Sequence, residues 1–169
     1  MSALRENDAP WAEAGDSRLR FGSVAEQYDR ARPGYPEGLI DVVLEYGGLV
    51  CGDRALDIGT GTGQLAHALA MRGLTVLGVE PSAAMAEIAN DKFATAQLDA
   101  HATVGEFESA AFEPDAFSLI CAGTSWHWLD PDARFAVAAR AIAPQGTLAV
   151  LWTWPHWRRT ALCAELDGV

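Results

Sequence analysis

The chain has 169 residues, half of them apolar, and a formal net charge of −11. This length and apolar content are sufficient for one domain with a substantial hydrophobic core. The negative charge disfavours nucleic acids and anionic membranes as partners, because both bind surfaces that are rich in lysine and arginine.

The cysteine content and the hydropathy pattern indicate the compartment. Three cysteines, Cys51, Cys121 and Cys163, are far apart in sequence and include no Cys-x-x-Cys pair. An odd and scattered set is typical of a reducing compartment and gives no sign of a metal site. No apolar run approaches transmembrane length, and the N-terminus has no signal-peptide pattern. The sequence therefore predicts a soluble, cytoplasmic protein.

The N-terminal region leads into the main fold. Residues 1–20 are polar and without periodicity, which predicts a flexible tail, and residues 21–169 are predicted to form one domain. A short amphipathic segment over 21–31 ends at the loop 32–36, where two prolines and a glycine interrupt helical structure. A helix is predicted to follow and to end at the glycine pair 47–48.

The segment 54–63, with the sequence Arg-Ala-Leu-Asp-Ile-Gly-Thr-Gly-Thr-Gly, is the centre of the chain. Residues 55–58 are predicted to form a buried strand, and Gly59, Gly61 and Gly63 form the turn after it. Without Cβ atoms, the backbone can turn sharply and a ligand can approach it closely. The helix that follows supplies unpaired N–H groups and a partial positive charge. Strand, turn and helix predict the start of a βαβ unit with a ligand at the turn.

The spacing of the glycines separates two classes of cofactor. Dinucleotide-binding turns read Gly-x-Gly-x-x-Gly, whereas this turn reads Gly-x-Gly-x-Gly and follows Asp57. An acidic residue at that position would repel a pyrophosphate, but it suits a ligand that carries a cation such as a protonated amine. Two alternatives to such a ligand remain. The segment is a tight structural turn without a ligand, or the chain is an NAD(P)-dependent oxidoreductase.

A second acidic residue marks the end of the next predicted strand. The segment 74–79 is predicted to be buried and closes on Glu80, which lies 23 positions after Asp57. Doubly wound folds place an acidic residue about here to accept the hydroxyls of a ribose. Ribose is shared by several nucleotide cofactors, so Glu80 indicates a ribose but not which cofactor carries it. The alternative is that Glu80 is a solvated carboxylate at the end of a strand. Ser82 is predicted to cap the next helix, with Met85 one turn from its start.

Three further strands complete the predicted sheet. They span residues 102–104, 117–121 and 147–153, and a helix over 133–143 connects the last two. The alternation of apolar strands with helical segments implies parallel strands and right-handed crossovers. We therefore predict an α/β, doubly wound, Rossmann-like three-layer sandwich with the strand order 3-2-1-4-5. Its ligand crevice should lie at the switch point between the first and the fourth strand.

Three motifs together resemble the class I S-adenosylmethionine-dependent methyltransferases, in their small-molecule, methyltransferase type 11-like branch. They are the glycine turn after Asp57, the segment from Tyr28 to Arg32-Pro-Gly-Tyr-Pro36, and Ser125-Trp-His-Trp-Leu-Asp130. The resemblance covers roughly residues 21–153. It implies S-adenosylmethionine as the cofactor and transfer of its sulfonium methyl group to an O, N or C atom of a small-molecule acceptor. No metal is implied.

The same resemblance implies the binding residues. Arg32 would pair with the methionine carboxylate, Tyr28 would shield the sulfonium, and either Glu106 or Phe107 would contact the adenine. The residues predicted to bind the cofactor are Tyr28, Arg32, Asp57, Gly59, Thr60, Gly61, Gly63, Glu80, Pro81, Met85, Glu106, Phe107, Ala122 and Gly123.

His127 is the candidate general base. It is predicted to lie beyond the fourth strand on the cofactor side, and an imidazole titrates near neutral pH. The alternative, which the pattern favours, is that His127 and its two flanking tryptophans only form the wall of the pocket. In a further alternative, the chain binds the cofactor without catalysing a reaction, as a binding module or an inactive fragment.

The C-terminal part is expected to be incomplete. The methyltransferases that the chain resembles usually have seven strands, the last two forming a hairpin beside the fifth, and only 16 residues follow Thr153. The fifth strand would then be an apolar edge, and Trp152, Trp154 and Trp157 would add exposed aromatic surface. We therefore expect weak cofactor binding, little turnover and self-association through this edge.

Overall fold

The computed structural model describes residues 25–153, so the predicted tail over 1–20 and the tryptophans at 154 and 157 lie outside it. The helices and strands of this range are α1 (Ala25–Ala31), α2 (Glu37–Gly47), β1 (Arg54–Ile58), α3 (Gln64–Ala70), β2 (Thr75–Glu80), α4 (Ala83–Thr95), β3 (Ala100–Val104), β4 (Phe117–Gly123), α5 (Arg134–Ala141) and β5 (Ile142–Leu151). Two 3-10 turns, Phe107–Ser109 and Trp126–Trp128, flank β4.

The five strands form one parallel sheet in the order β3-β2-β1-β4-β5, which confirms the predicted fold class and strand order. From β1 the chain winds outward to β3 and then returns to the other side of β1 for β4 and β5. The switch point therefore lies between β1 and β4, where Asp57 is in register with Cys121. In such sheets a ligand crevice opens at the carboxyl ends of the strands that flank the switch.

Helices cover both faces of the sheet. On one face, α2, α3 and α4 pack their apolar side chains against alternate residues of the strands, and on the other face α5 and the two 3-10 turns do so. The largest buried side chains of the first layer are Ile40, Leu69, Leu74, Leu119 and Phe93. Those of the second layer are Leu56, Ile58, Phe107, Phe117, Ile120 and Trp126.

Local signals fix several of the helix ends as predicted. Ser82 accepts a hydrogen bond from the Met85 N–H at 3.4 Å and caps the start of α4. Gly48 adopts the left-handed conformation with φ of +60° and ends α2. Pro36 directly precedes α2, where its fixed φ favours entry into a helix.

The connection from α5 to β5 differs from the prediction. The helix predicted over 133–143 ends at Ala141, and β5 begins at once with Ile142. Ile142 pairs with Phe117, but the next pair is Leu119 with Thr147, so β5 bulges over the residues between. Pro144 lacks an N–H to donate to the sheet and Gln145 has φ of +66°, which explains the bulge.

Within residues 25–153, β5 is an edge strand of the sheet, because it pairs with β4 alone. Leu148 is 37% exposed, and Trp152, just beyond the strand, is 47% exposed. The predicted apolar edge is therefore present in this range. No helix between residues 25 and 153 has the length and apolar character required to cross a membrane.

Candidate active site

A cleft of about 290 Å³ opens at the carboxyl ends of β1, β2 and β4, at the switch point. Most of the predicted site residues line it. They are Tyr28, Arg32, Gly59, Gly61, Glu80, Pro81, Met85, Glu106, Phe107, Gly123 and His127. Both candidates for the adenine contact, Glu106 and Phe107, are in this set, with Glu106 exposed and Phe107 buried.

The glycine turn leaves its backbone open to the cleft at one position. Gly61 has φ of +57°, and a Cβ built there would have only the Tyr28 ring as a neighbour, at 4.0 Å. A side chain at Gly61 would therefore project into the space that the cleft offers a ligand. The N–H groups of the turn residues Gly59, Gly61 and Gly63 already donate within the protein, so the turn offers a ligand open space against its backbone.

Glu80 holds the glycine turn in place. Its two carboxylate oxygens accept hydrogen bonds from the Gly61 N–H at 2.9 Å and from the Ser82 N–H at 3.0 Å. Burial raises the pKa of Glu80, although these two hydrogen bonds oppose the shift. Each oxygen keeps a further lone pair, so Glu80 remains able to accept hydroxyl donors from the cleft.

Asp57 lies deeper, beneath the turn, in a recess of about 20 Å³ that Arg32 and Tyr35 also line. The Thr60 hydroxyl donates a hydrogen bond to its carboxylate at 2.7 Å. Complete burial raises the pKa of Asp57 to about 7, and the hydrogen bond from Thr60 only partly opposes this. The recess therefore contains an acid that changes charge near neutral pH.

A cation and two aromatic rings close the other side of this recess. The Arg32 guanidinium lies 5.7 Å from the centre of the Tyr28 ring, and its Nη2 donates to the Thr124 hydroxyl at 2.9 Å. The Tyr35 hydroxyl lies against Gly123, and Tyr35 lines the recess together with Arg32. Burial raises the pKa of Tyr35, so its phenol stays protonated at neutral pH.

Helix α1, which carries Tyr28, is fastened to α4 and to the start of α3. Asp29 forms an ion pair with Lys92 at 2.7 Å and accepts a hydrogen bond from the Gln64 amide at 3.0 Å. Lys92 also donates to the Thr62 carbonyl at 2.7 Å. Partial burial acts to raise the pKa of Asp29, but Lys92, Thr62 and Arg30 together hold that pKa below its ordinary value.

His127 lies on the exposed side of the 3-10 turn at the mouth of the cleft. Arg134 positions this turn, because its Nη1 donates to the Trp126 carbonyl at 3.1 Å and its guanidinium lies 5.5 Å from the Trp126 ring centre. Partial burial lowers the pKa of His127, so the neutral imidazole predominates at pH 7 and can accept a proton.

Three predicted residues lie outside the main cleft besides Asp57. Thr60 lines only the recess, and Ala122 is fully buried in the sheet. Gly63 has φ of +86°, and a Cβ there would lie 2.8 Å from Cζ of Phe93. Close packing of α4 therefore accounts for glycine at this position, and the role of Gly63 in binding the cofactor stays a prediction.

Tyr35, Thr124 and Arg134 are not among the site residues predicted from the sequence, although Tyr35 stands in the Tyr-Pro pair after Arg32 and Thr124 follows the fourth strand at the switch point. The contact of Thr124 with Arg32 and that of Arg134 with Trp126 join separate segments, so neither is visible along the chain. In the part of the chain that the structure describes, no three potential metal ligands come together.

Comparison with known families decides to which family this cleft belongs. Residues 55–146, over half of the chain, match the family model described as a methyltransferase domain. The chain belongs to the S-adenosylmethionine-dependent methyltransferases. This confirms the family and the cofactor, S-adenosylmethionine, that the motifs implied.

Curated relatives of this methyltransferase domain are longer than the chain. An uncharacterized methyltransferase of Mycobacterium tuberculosis is 33% identical over 137 residues, which cover 81% of this chain and 53% of the relative. An uncharacterized methyltransferase of Geobacillus kaustophilus is 31% identical over 139 residues, which cover 76% of this chain and 62% of the relative. The chain thus spans about half the length of the curated relatives that it matches.

Solved structures agree with the methyltransferase fold. A protein of Methanococcus maripaludis, classed as an S-adenosyl-L-methionine-dependent methyltransferase, matches with a TM-score of 0.68 and 22% identity over 98% of this chain and 75% of that chain. Phosphoethanolamine N-methyltransferase 2 of Haemonchus contortus matches with a TM-score of 0.69 and 23% identity over 90% of this chain and 38% of that chain. At these identities the likeness shows the fold.

The buried acid of this methyltransferase predicts a pH-dependent stability. The folded-state pKa of Asp57, about 7, lies above its unfolded value of about 3.9, so the fold loses stability as the pH rises through this interval. Asp57→Asn should raise the free energy of unfolding at pH 8 by on the order of 1–3 kcal/mol, and this gain should vanish near pH 4. Denaturant unfolding of both proteins across this pH range measures the difference.

Asp91→Asn provides the control, because Asp91 is exposed on α4. It should leave the pH dependence of unfolding close to that of the wild type. A gain from Asp57→Asn that does not change with pH would contradict the assignment of a buried, titrating carboxyl.

Proposed function

We propose that the chain binds S-adenosylmethionine in the cleft and transfers its sulfonium methyl group to a small-molecule acceptor in the cytoplasm. One observation carries the proposal: the open backbone at Gly61 faces the cleft beside the Glu80 carboxylate. The net charge of −11 supports a small acceptor over a nucleic acid. Within residues 25–153 the exposed Cys51 has no disulfide partner, which supports the compartment.

The charges of the cleft support one orientation of the cofactor. Arg32 and Asp57 lie together at the narrow end, which suits the carboxylate and the ammonium of a methionine moiety. Glu80 lies in the middle and has free lone pairs for the ribose hydroxyls. The apolar side chains of Met85 and Phe107 line the remaining end and suit an adenine ring.

The contribution of the protein to the reaction is alignment. The cofactor supplies an activated methyl group on a sulfonium, so the chain has to orient an acceptor atom toward it and exclude water. Tyr28 lies over Gly61 and would shield the sulfonium in this orientation. His127, at the mouth, would take up a proton from the acceptor atom during transfer.

Occupation of the space beside Gly61 tests the binding mode. Asparagine tolerates the left-handed conformation, so Gly61→Asn should fold while its side chain fills the cleft. We expect this variant to bind S-adenosylhomocysteine at least about 100-fold more weakly, because ligand and side chain compete for one volume. Calorimetric titration measures the affinity, and circular dichroism checks the fold.

Gly48→Asn is the matched control, since Gly48 has φ of +60° at the end of α2 and open space around it. It should bind S-adenosylhomocysteine like the wild type. If folded Gly61→Asn also bound normally, the cofactor would not lie against the glycine turn and the proposal would be wrong.

His127 separates catalysis by a general base from catalysis by alignment alone. If His127 accepts the proton, His127→Asn should lower kcat about 10²–10⁴-fold and leave the affinity for S-adenosylhomocysteine unchanged. The measurement is the pH dependence of the rate with an acceptor found by a methyl-transfer screen of small metabolites. His101→Asn is the control, because His101 is exposed on β3 and outside the cleft.

The outcome for the alternative role is different. A His127 that only forms the wall should change KM for the acceptor and leave the shape of the pH–rate profile intact. Identical profiles for wild type and His127→Asn would exclude the base.

We also propose that two copies associate through the edge of β5. Support comes from Leu148, an apolar and partly exposed residue of β5, and from the absence of charged residues in this strand that would block pairing.

Leu148→Lys should then convert a dimer into a monomer in sedimentation velocity. Val42→Lys, which introduces the same charge at an exposed apolar residue of α2, should leave the dimer intact. A wild type that stays monomeric at high concentration would refute the association.

A further inference from the structure

We propose that Thr124 is a positioning residue that holds Arg32 in place to receive the carboxylate of the cofactor. The inference rests on the proposed function, in which Arg32 pairs with the methionine carboxylate. Thr124 follows directly after β4, at the switch point of the sheet, and lines the cleft. It connects the end of a rigid strand to the loop that carries Arg32.

The backbone of Thr124 is the first observation. Its φ is +61°, a left-handed conformation that is unfavourable for a β-branched residue, because Cβ comes close to the carbonyl oxygen. The Thr124 N–H donates to the Leu151 carbonyl at 2.7 Å, which ties this conformation to β5. Such outliers persist where the surroundings hold them, and they concentrate at functional sites.

The hydroxyl group is the second observation. Thr124 Oγ1 accepts a hydrogen bond from Arg32 Nη2 at 2.9 Å, and it lies 3.5 Å from the Thr153 hydroxyl. Tyr35 lines the recess together with Arg32. The guanidinium is thus held by the Tyr28 ring and by the hydroxyl of Thr124, which directly follows β4.

The charge of Arg32 is the third observation. Among residues 25–153, Arg32 has no carboxylate partner within ion-pair distance, whereas three other cations of this range do have one. Those pairs are Arg30 with Glu26, Arg72 with Asp41 and Lys92 with Asp29. Because the neutral Thr124 hydroxyl and the Tyr28 ring hold Arg32, its positive charge remains available for an anion from the cleft.

Two ligands separate positioning from a general structural role. S-adenosylhomocysteine carries the carboxylate, and methylthioadenosine has the same nucleoside and sulfur without it. Thr124→Val keeps the β-branched shape and removes the hydroxyl, so it should weaken S-adenosylhomocysteine about tenfold and methylthioadenosine less than twofold. Thr124→Ser keeps the hydroxyl and should restore most of the affinity. Calorimetric titration of both ligands measures these values.

A double-mutant cycle then tests whether Thr124 acts through Arg32. In an Arg32→Met background, Thr124→Val should cost little further affinity for S-adenosylhomocysteine, since its partner is gone. Should Thr124→Val fail to fold, Thr124→Gly replaces it, because glycine accepts the left-handed backbone and equally lacks the hydroxyl.

The outcomes distinguish this inference from the proposed function. A wild type that binds neither ligand refutes the proposed function and the role of Thr124 with it. A wild type that binds both ligands, with Thr124→Val binding S-adenosylhomocysteine as tightly, refutes the role of Thr124 alone. Equal weakening of both ligands by Thr124→Val also refutes it, since a lost carboxylate contact cannot affect methylthioadenosine.

Discussion

The Glu80 carboxylate is the interaction on which the rest of the site depends. It bridges the Gly61 N–H, which follows β1, and the Ser82 N–H, which begins α4. One buried side chain therefore sets the distance between two strand ends and the direction of the helix after the second. Without it, two N–H groups at the base of the cleft would lose their partner, at a cost of about 1–3 kcal/mol each where they are buried. The glycine turn, the cleft floor and the position of Met85 in the cleft wall all follow from that bridge.

The same crevice also concentrates features that work against the stability of the fold. Asp57 is a fully buried carboxyl beside a second acid, and Thr124 holds a backbone conformation that L-residues avoid. Neither feature improves the packing of the core, which fills well from the layers of leucine, isoleucine and phenylalanine on both sides of the sheet. Sites that must receive a charged ligand commonly retain such local costs, because the ligand supplies the missing partner. Both destabilising features, Asp57 and Thr124, thus lie at the carboxyl ends of β1 and β4.

The sequence predicted what is encoded locally and missed what depends on distant contacts. The strand before Asp57, the glycine turn and Glu80 were visible because strand ends of a parallel sheet share one edge, so spacing along the chain translates into position. The packing of Gly63 against Phe93 of α4 was not visible in the sequence, because it joins separate segments. The helix predicted over 133–143 extends past its observed end at Ala141, because β5 begins there with a bulge around Pro144. The bond from Arg32 to Thr124 joins residues 92 positions apart and leaves no local pattern.

The attachment of α1 has a consequence for how a ligand enters and leaves the cleft. This helix brings Tyr28 over the glycine turn, yet Ala25 is its one buried residue, and its ties to α4 and α3 are polar, through Asp29. A partly exposed ion pair of this kind contributes roughly 1 kcal/mol or less, and salt screens it. High ionic strength should therefore loosen the attachment of α1 more than the apolar packing of the sheet. In the proposed binding mode, a looser α1 would let the cofactor enter and leave the cleft more readily.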